Sequence, residues 1–219
     1  MKLSVFIVYL CFIFCGCTVS NNSEEGSSED SSTINYMEGD TDEDALGSQD
    51  HLTFKGVPID GSLKHFIKKM ENVGFEYIGD NKGVAILKGD FAGYKNCIIG
   101  VTTLQNIDIV NTIGVVFPKC SEWVGLEQNY NSLKNMLIQK YGNPAEVVEK
   151  FEGIGPVVDS NDKYYKLQMN QCTWYSLFET TKGNILLSIK NTDFDTYVLL
   201  NYFDKINSEI VQSAAMDDL

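Results

Sequence analysis

Two stretches decide how this chain folds: SLKHFIKKMENVGF, residues 62–75, and SLKNMLIQKYGNP, residues 132–144. In the first, Leu63, Phe66, Ile67 and Met70 fall at i, i+3, i+4 and i+7, the apolar stripe of a helix. Asp60 or Ser62 can cap its start, and Gly74 stops it. In the second, Tyr130, Leu133, Leu137 and Tyr141 repeat the stripe. Gly142-Asn143-Pro144 then ends it, because Gly suits a helix C-terminus and Pro cannot continue one. Ser132-Leu133-Lys134 matches Ser62-Leu63-Lys64 outright.

The segments after the two helices are also alike. Strand-like runs lie at 75–79, 83–88, 96–104 and 109–117, separated by turn signals such as Gly79-Asp80-Asn81-Lys82-Gly83 and Gln105-Asn106. After the second helix the runs are 145–151, 164–170, 172–179, 184–190 and 196–203. Tyr165, Leu167 and Met169 alternate with Lys166, Gln168 and Asn170. Ile185, Leu187 and Ile189 alternate with Asn184, Leu186, Ser188 and Lys190. Alternation of this kind belongs to a sheet with one buried face, hence an antiparallel one. The expected fold is α+β: two helix-then-antiparallel-sheet units, 51–121 and 122–219, a tandem repeat sharing one continuous sheet.

The amino terminus reads differently. MKLSVFIVYLCFIFCGC places Lys2 before an apolar run from Leu3 to Phe14. That run is shorter than the ~20 residues of a membrane-spanning helix and has the length of a signal-peptide core. It ends in Phe14-Cys15-Gly16-Cys17, a small residue before a cysteine. Residues 1–16 are expected to be a lipoprotein signal and Cys17 the lipid attachment site. Residues 17–50, rich in Ser, Asn, Asp, Glu and Gly, are too polar to fold and read as an acidic tether. Within it Asp40, Asp42 and Asp44 match the first three ligands of a calcium loop. Ala45 and His51 then stand where Gly and Glu are required, which rules against that loop.

Charge excludes some partners. Ten of the 30 acidic side chains lie in residues 1–50, against one lysine; from residue 51 onward 20 acids face 16 lysines, a net of −4. There is no arginine, the usual clamp for phosphate and guanine, so nucleic acid is not an expected partner.

Catalytic machinery is equally sparse. His51 and His65 are the two histidines, too few and too isolated for a zinc site, and no metal or cofactor is implied. His65 reads as a surface residue beside the helical stripe. Cys97, Cys120 and Cys172 remain for the globular part, and the sequence does not choose a disulfide among them. A Cys172–His65 dyad is conceivable, but no glycine-flanked nucleophile motif supports it. Cys97 and Cys172 fall in strand patterns, where cysteine is usually a small buried apolar residue. The glycines of GFEYIGDNKGVAILKGDFAG are spaced for hairpin turns, with no Gly-Lys-Ser/Thr to make a phosphate loop.

Aromatics crowd the second half. Trp123, Tyr164, Trp174 and Tyr175 are the candidate binding surface, for stacking on a glycan or anchoring a protein. The competing assignment is a core under the second helix, and large aromatics favour it.

The leader ending at Cys17, the acidic tether, FKGVPIDGSLKHFIKKMENVGF and LKNMLIQKYGNP together resemble a group of uncharacterised lipoproteins from gut Bacteroidetes. The helix-then-sheet repeat is similar to the beta-lactamase-inhibitor-protein-like fold. The first resemblance implies a lipid-anchored protein of the bacterial cell envelope, on the outer membrane. The second implies an inhibitor of a secreted enzyme. The residues themselves lead to a non-catalytic binding or structural role toward a protein or glycan, with an envelope hydrolase as the alternative.

Overall fold

The computed structural model describes residues 50–217 apart from 82, 105, 106 and 194. The leader, Cys17, the tether and the calcium-like run lie outside the described residues.

The domain begins with a hairpin that no sequence pattern announces, β1 (Thr53–Phe54) and β2 (Val57–Pro58). Lys55 and Gly56 turn it with positive φ at both positions, as a tight hairpin requires. Helix α1 (Leu63–Asn72) is next, capped by Ser62, whose Oγ accepts the His65 N–H. It ends as expected at Gly74. The Phe75 N–H bonds the Met70 carbonyl and the Gly74 N–H the Glu71 carbonyl, the glycine taking the left-handed conformation such a stop needs.

A four-stranded meander continues the chain: β3 (Glu76–Asn81), β4 (Val84–Phe91), β5 (Tyr94–Leu104) and β6 (Ile107–Val116). Helix α2 (Trp123–Tyr141) opens the second unit and starts about two turns earlier than its stripe predicts, since Trp123 and Leu126 are buried with Tyr130, Leu133 and Leu137. Then come β7 (Glu146–Phe151), α3 (Ser160–Gln168), β8 (Cys172–Thr180), β9 (Gly183–Thr192), β10 (Asp195–Asp204) and α4 (Lys205–Asp217).

All eight long strands form one antiparallel sheet in the order β3-β4-β5-β6-β10-β9-β8-β7. Each unit is a helix followed by a meander, and the two meanders meet through their last strands. Leu200 stands opposite Val115 and Tyr202 opposite Ile113. Two like meanders joined antiparallel by their last strands are related by a two-fold axis normal to the sheet. Such an axis leaves both helices on the same face. The core obeys this. Two cross-strand rows, Leu87-Ile99-Val115-Leu200-Leu187-Ser176 and Ala85-Val101-Ile113-Tyr202-Ile185-Phe178, are buried throughout. The apolar members of both rows share one cluster with Phe66 and Met70 of α1, the buried residues of α2, Leu167 of α3 and Phe54 of the hairpin.

The structure corrects one element and adds another. Residues 164–170, read as a strand, lie largely in α3. Asp159 caps that helix, its carboxylate accepting the N–H of Asn161 and Asp162. Asn170, at φ 55°, closes it, with the Gln171 N–H on the Lys166 carbonyl and the Asn170 N–H on the Leu167 carbonyl. Lys166 and Leu167 are both buried, which the alternation of a strand with one buried face does not allow. Helix α4 occupies a segment to which the sequence patterns assign nothing. The Ser-Leu-Lys identity is not a structural equivalence, because Ser62 caps α1 whereas Ser132 is an exposed residue inside α2.

Candidate binding surface

The four aromatic candidates divide between two faces of the sheet. Trp123 is fully buried and meets Trp174 edge-on, ring centroids 4.9 Å apart, with Phe151 packed against both. Tyr130 completes the cluster; its hydroxyl is 2.7 Å from Ser176 Oγ. Tyr164 packs against the same core from α3, its hydroxyl 3.2 Å from Thr196 Oγ1. These three candidates belong to the helix-covered side: Trp123 offers nothing to a ligand, and Tyr164 and Trp174 are partly buried there. Tyr175 alone projects from the other face.

That second face is built from the alternate residues of the same strands. One row runs Ile86-Gly100-Gly114-Asn201-Leu186-Leu177, and the next Lys88-Ile98-Val116-Leu199-Ser188-Tyr175-Val148. Burial is deepest at the centre, where Ser188 of β9 and Leu199 and Asn201 of β10 are nearly inaccessible, and falls to half-buried at Ile86, Ile98, Leu186, Leu177 and Tyr175. None of these residues joins the core cluster under the helices. The surface is therefore aliphatic with a polar centre. Gly100 faces Gly114 across β5 and β6, and a Cβ on Gly114 would lie 2.9 Å from Asn201 Oδ1, so the glycine makes room for that amide. The Asn201 Oδ1 and Ser188 Oγ have no hydrogen-bond partner among the described residues.

Ionisable groups on this face keep to its flanks, where Glu146 stands opposite Leu177, Lys150 is two residues beyond Val148, and Lys88 stands opposite Glu76. The densest cluster sits at one end of the central strands. There the fully buried carboxylate of Asp204 accepts the Leu52 N–H at 2.8 Å and the Asn207 N–H at 3.0 Å, and lies 3.1 Å from His51 Nδ1. His51 Nε2 stands 3.6 Å from Asp60 Oδ2. Asn207 Nδ2 donates to the carbonyls of Ile59 and Val110. His51, read from sequence as the edge of the tether, is thus an interior residue that fixes the first residues of the domain to the start of α4. The Asp204-x-x-Asn207 spacing, an N-cap pattern, was the available signal.

The cysteines are free thiols. Cys97 is wholly buried, as expected of a strand cysteine. Cys120 accepts from Asn129 Nδ2 at 3.3 Å. Cys172 lies on β8, whereas exposed His65 lies on α1 of the other unit with its ring against Ser62 Oγ, so the structure does not assemble that dyad. Burial also pushes the Cys172 thiol up to about 12, which disfavours a thiolate. Among the described residues no three His, Cys, Asp or Glu side chains converge as metal ligands, and no helix is long and apolar enough to cross a membrane. Comparison with protein-family models, with curated proteins and with solved structures returned no match.

Proposed function

We propose that this is a lipid-anchored protein of the bacterial cell envelope, held through Cys17, with a non-catalytic role. Its sheet face opposite the helices is the surface offered to a protein partner. The observation that carries the reading is the distribution of side chains on that face: aliphatic flanks around a polar centre, with the ionisable cluster of His51, Asp60 and Asp204 elsewhere. Glycan recognition relies on exposed aromatic platforms; on this face Tyr197 is buried and Tyr175 and Phe203 are half-buried, so a protein is the better match.

The test is affinity capture from detergent-solubilised envelope with the full chain as bait. A bait carrying Leu177→Lys and Leu186→Lys, a cross-strand pair on the half-buried flank, serves as the control. The expected result is a partner lost with the control bait while its circular dichroism is unchanged. Recovery of a secreted enzyme inhibited by the bait would make the same face an inhibitor's. A bait that captures nothing and hydrolyses envelope esters or peptides would end the binding reading in favour of the hydrolase.

A further inference from the structure

The segment Glu152 to Asp159, EGIGPVVD, joins β7 to α3 and is built inside out. Lys166 of α3 is buried, and its Nζ donates to the carbonyls of Glu152 at 2.8 Å and Ile154 at 3.0 Å. One turn earlier Asp162 Oδ2 accepts the Val158 N–H at 2.9 Å. Backbone polar groups of the loop therefore face α3, and the apolar side chains turn outward. Ile154 is 102% exposed and Val158 80%, the most exposed large apolar side chains among the described residues. Tyr165 of α3 and Met169, its C-cap residue, are also exposed apolar side chains. Burying an ammonium is costly unless it is well bonded, so this loop is held in one shape by a costly device.

The tip is also electrically quiet. Residues 153–158 carry no charge. Of the flanking acids, Glu152 pairs with Lys150 at 2.9 Å, Asp159 caps α3 and Asp162 holds Val158. A rigid, uncharged, convex apolar tip fits a lipid interface, which accepts a protrusion without a matching pocket. A stable protein interface takes about 800 Å² per partner, more than such a tip supplies. Tyrosine is favoured at such an interface, and Tyr165 is exposed on the helix that holds the loop.

We propose that the Ile154–Val158 tip seats in the interfacial layer of the bilayer that carries the chain's own lipid anchor. This rests on the reading of Cys17 as the acylated residue. The anchor ties the domain to its own bilayer, so the two meet at high effective concentration and a weak contact suffices.

The experiment uses the full-length lipidated protein in vesicles of phosphatidylcholine and phosphatidylethanolamine, with and without brominated acyl chains. Ile154→Trp places an indole on the tip; Lys64→Trp, exposed on α1, is the comparison. Trp123 and Trp174, packed in the interior cluster, give the baseline. The expected result is at least twofold quenching of the added fluorescence at position 154 and none at 64. Ile154→Asn with Val158→Asn, in a Cys17→Ser background, should lower residual flotation with vesicles about tenfold. Absence of quenching at 154, or equal quenching at both positions, overturns the proposal. Protection of position 154 in native envelope but not in vesicles overturns it in favour of a protein partner. Cys17→Ser tests the anchor separately. Release without quenching leaves the anchor and removes the tip, whereas quenching with unchanged fractionation does the reverse.

Discussion

Cys172 and Tyr130 stabilise the fold only while they keep their protons. Burial pushes the thiol up to about 12 from 9.0, with Lys190 acting in the opposite sense. Burial likewise pushes the Tyr130 hydroxyl up to about 12 from 10.0, and the hydrogen bond to Ser176 works against it. Cys97, Cys120 and Tyr202 shift the same way, first through burial. In the unfolded chain these groups ionise at their ordinary values. Between about pH 9 and pH 12 the unfolded state therefore binds fewer protons than the folded one, and stability falls as pH rises through that window. Thermal melts should be flat from these groups up to pH 8.5 and decline steadily toward pH 11. Cys172→Ala should flatten the decline that begins near pH 9; an unchanged slope would place the loss in other groups. A second residue-scale expectation concerns Gly89, on the helix-covered face of β4. Its Cβ position is taken by the ring of Phe75, which is itself in the core. Gly89→Ala should cost about 1–3 kcal/mol by overpacking in urea denaturation. Phe75→Leu should recover part of that loss in the double variant, because the clash is with the ring and not with the backbone.

At the scale of elements, helix α3 shows where pattern and capping compete. Tyr165, Leu167 and Met169 alternate as a strand does, yet the segment is helical, because both of its ends are satisfied by side chains or a left-handed residue. Asp159→Ala would leave the N–H groups of Asn161 and Asp162 without that acceptor. The expected cost is about 0.5–2 kcal/mol, read from the denaturation midpoint, with no loss of the sheet signal in circular dichroism. Asn at position 159 should restore most of it; a restoration as large from Val would show that capping is not the cause. The strands and the first two helices were legible because each satisfies its own local rule. In β9, Ile185, Leu187 and Ile189 face the core and Asn184 and Lys190 the solvent. In α1 the stripe, Ser62 and Gly74 agree. The two-residue strands β1 and β2 carry too few residues for a period to appear. The aromatic candidates divide between the two faces for a different reason. Trp123, Trp174 and Tyr164 all lie on the helix side, and the strand parity of Trp174, opposite to that of Tyr175, was readable. What the sequence did not supply was which parity the helices would cover.

For the whole molecule, the seam between β6 and β10 decides whether the two units are independent. A single cluster of buried side chains runs from Ala85 and Ile99 in one unit through Val115 and Leu200 to Leu187 and Trp123 in the other. Separating the units would expose both sides of that seam and break the paired backbone of β6 and β10. Asp204 adds a second tie, since it bonds the Leu52 N–H at the start of the domain and the Asn207 N–H in α4. Removing it would leave His51 and two N–H groups without their buried acceptor, a loss of at least ~2 kcal/mol. Two such ties across one core make partial unfolding expensive, and the two units should melt together. The tryptophans provide the check. Trp123 and Trp174 are both in the second unit, so their fluorescence follows that unit, whereas far-ultraviolet circular dichroism follows all eight strands. The two denaturation curves should coincide in urea, and both should move to lower denaturant together in Asp204→Ala. A fluorescence transition displaced from the dichroism transition would mean that the meanders fold separately and that the seam is a contact between two domains.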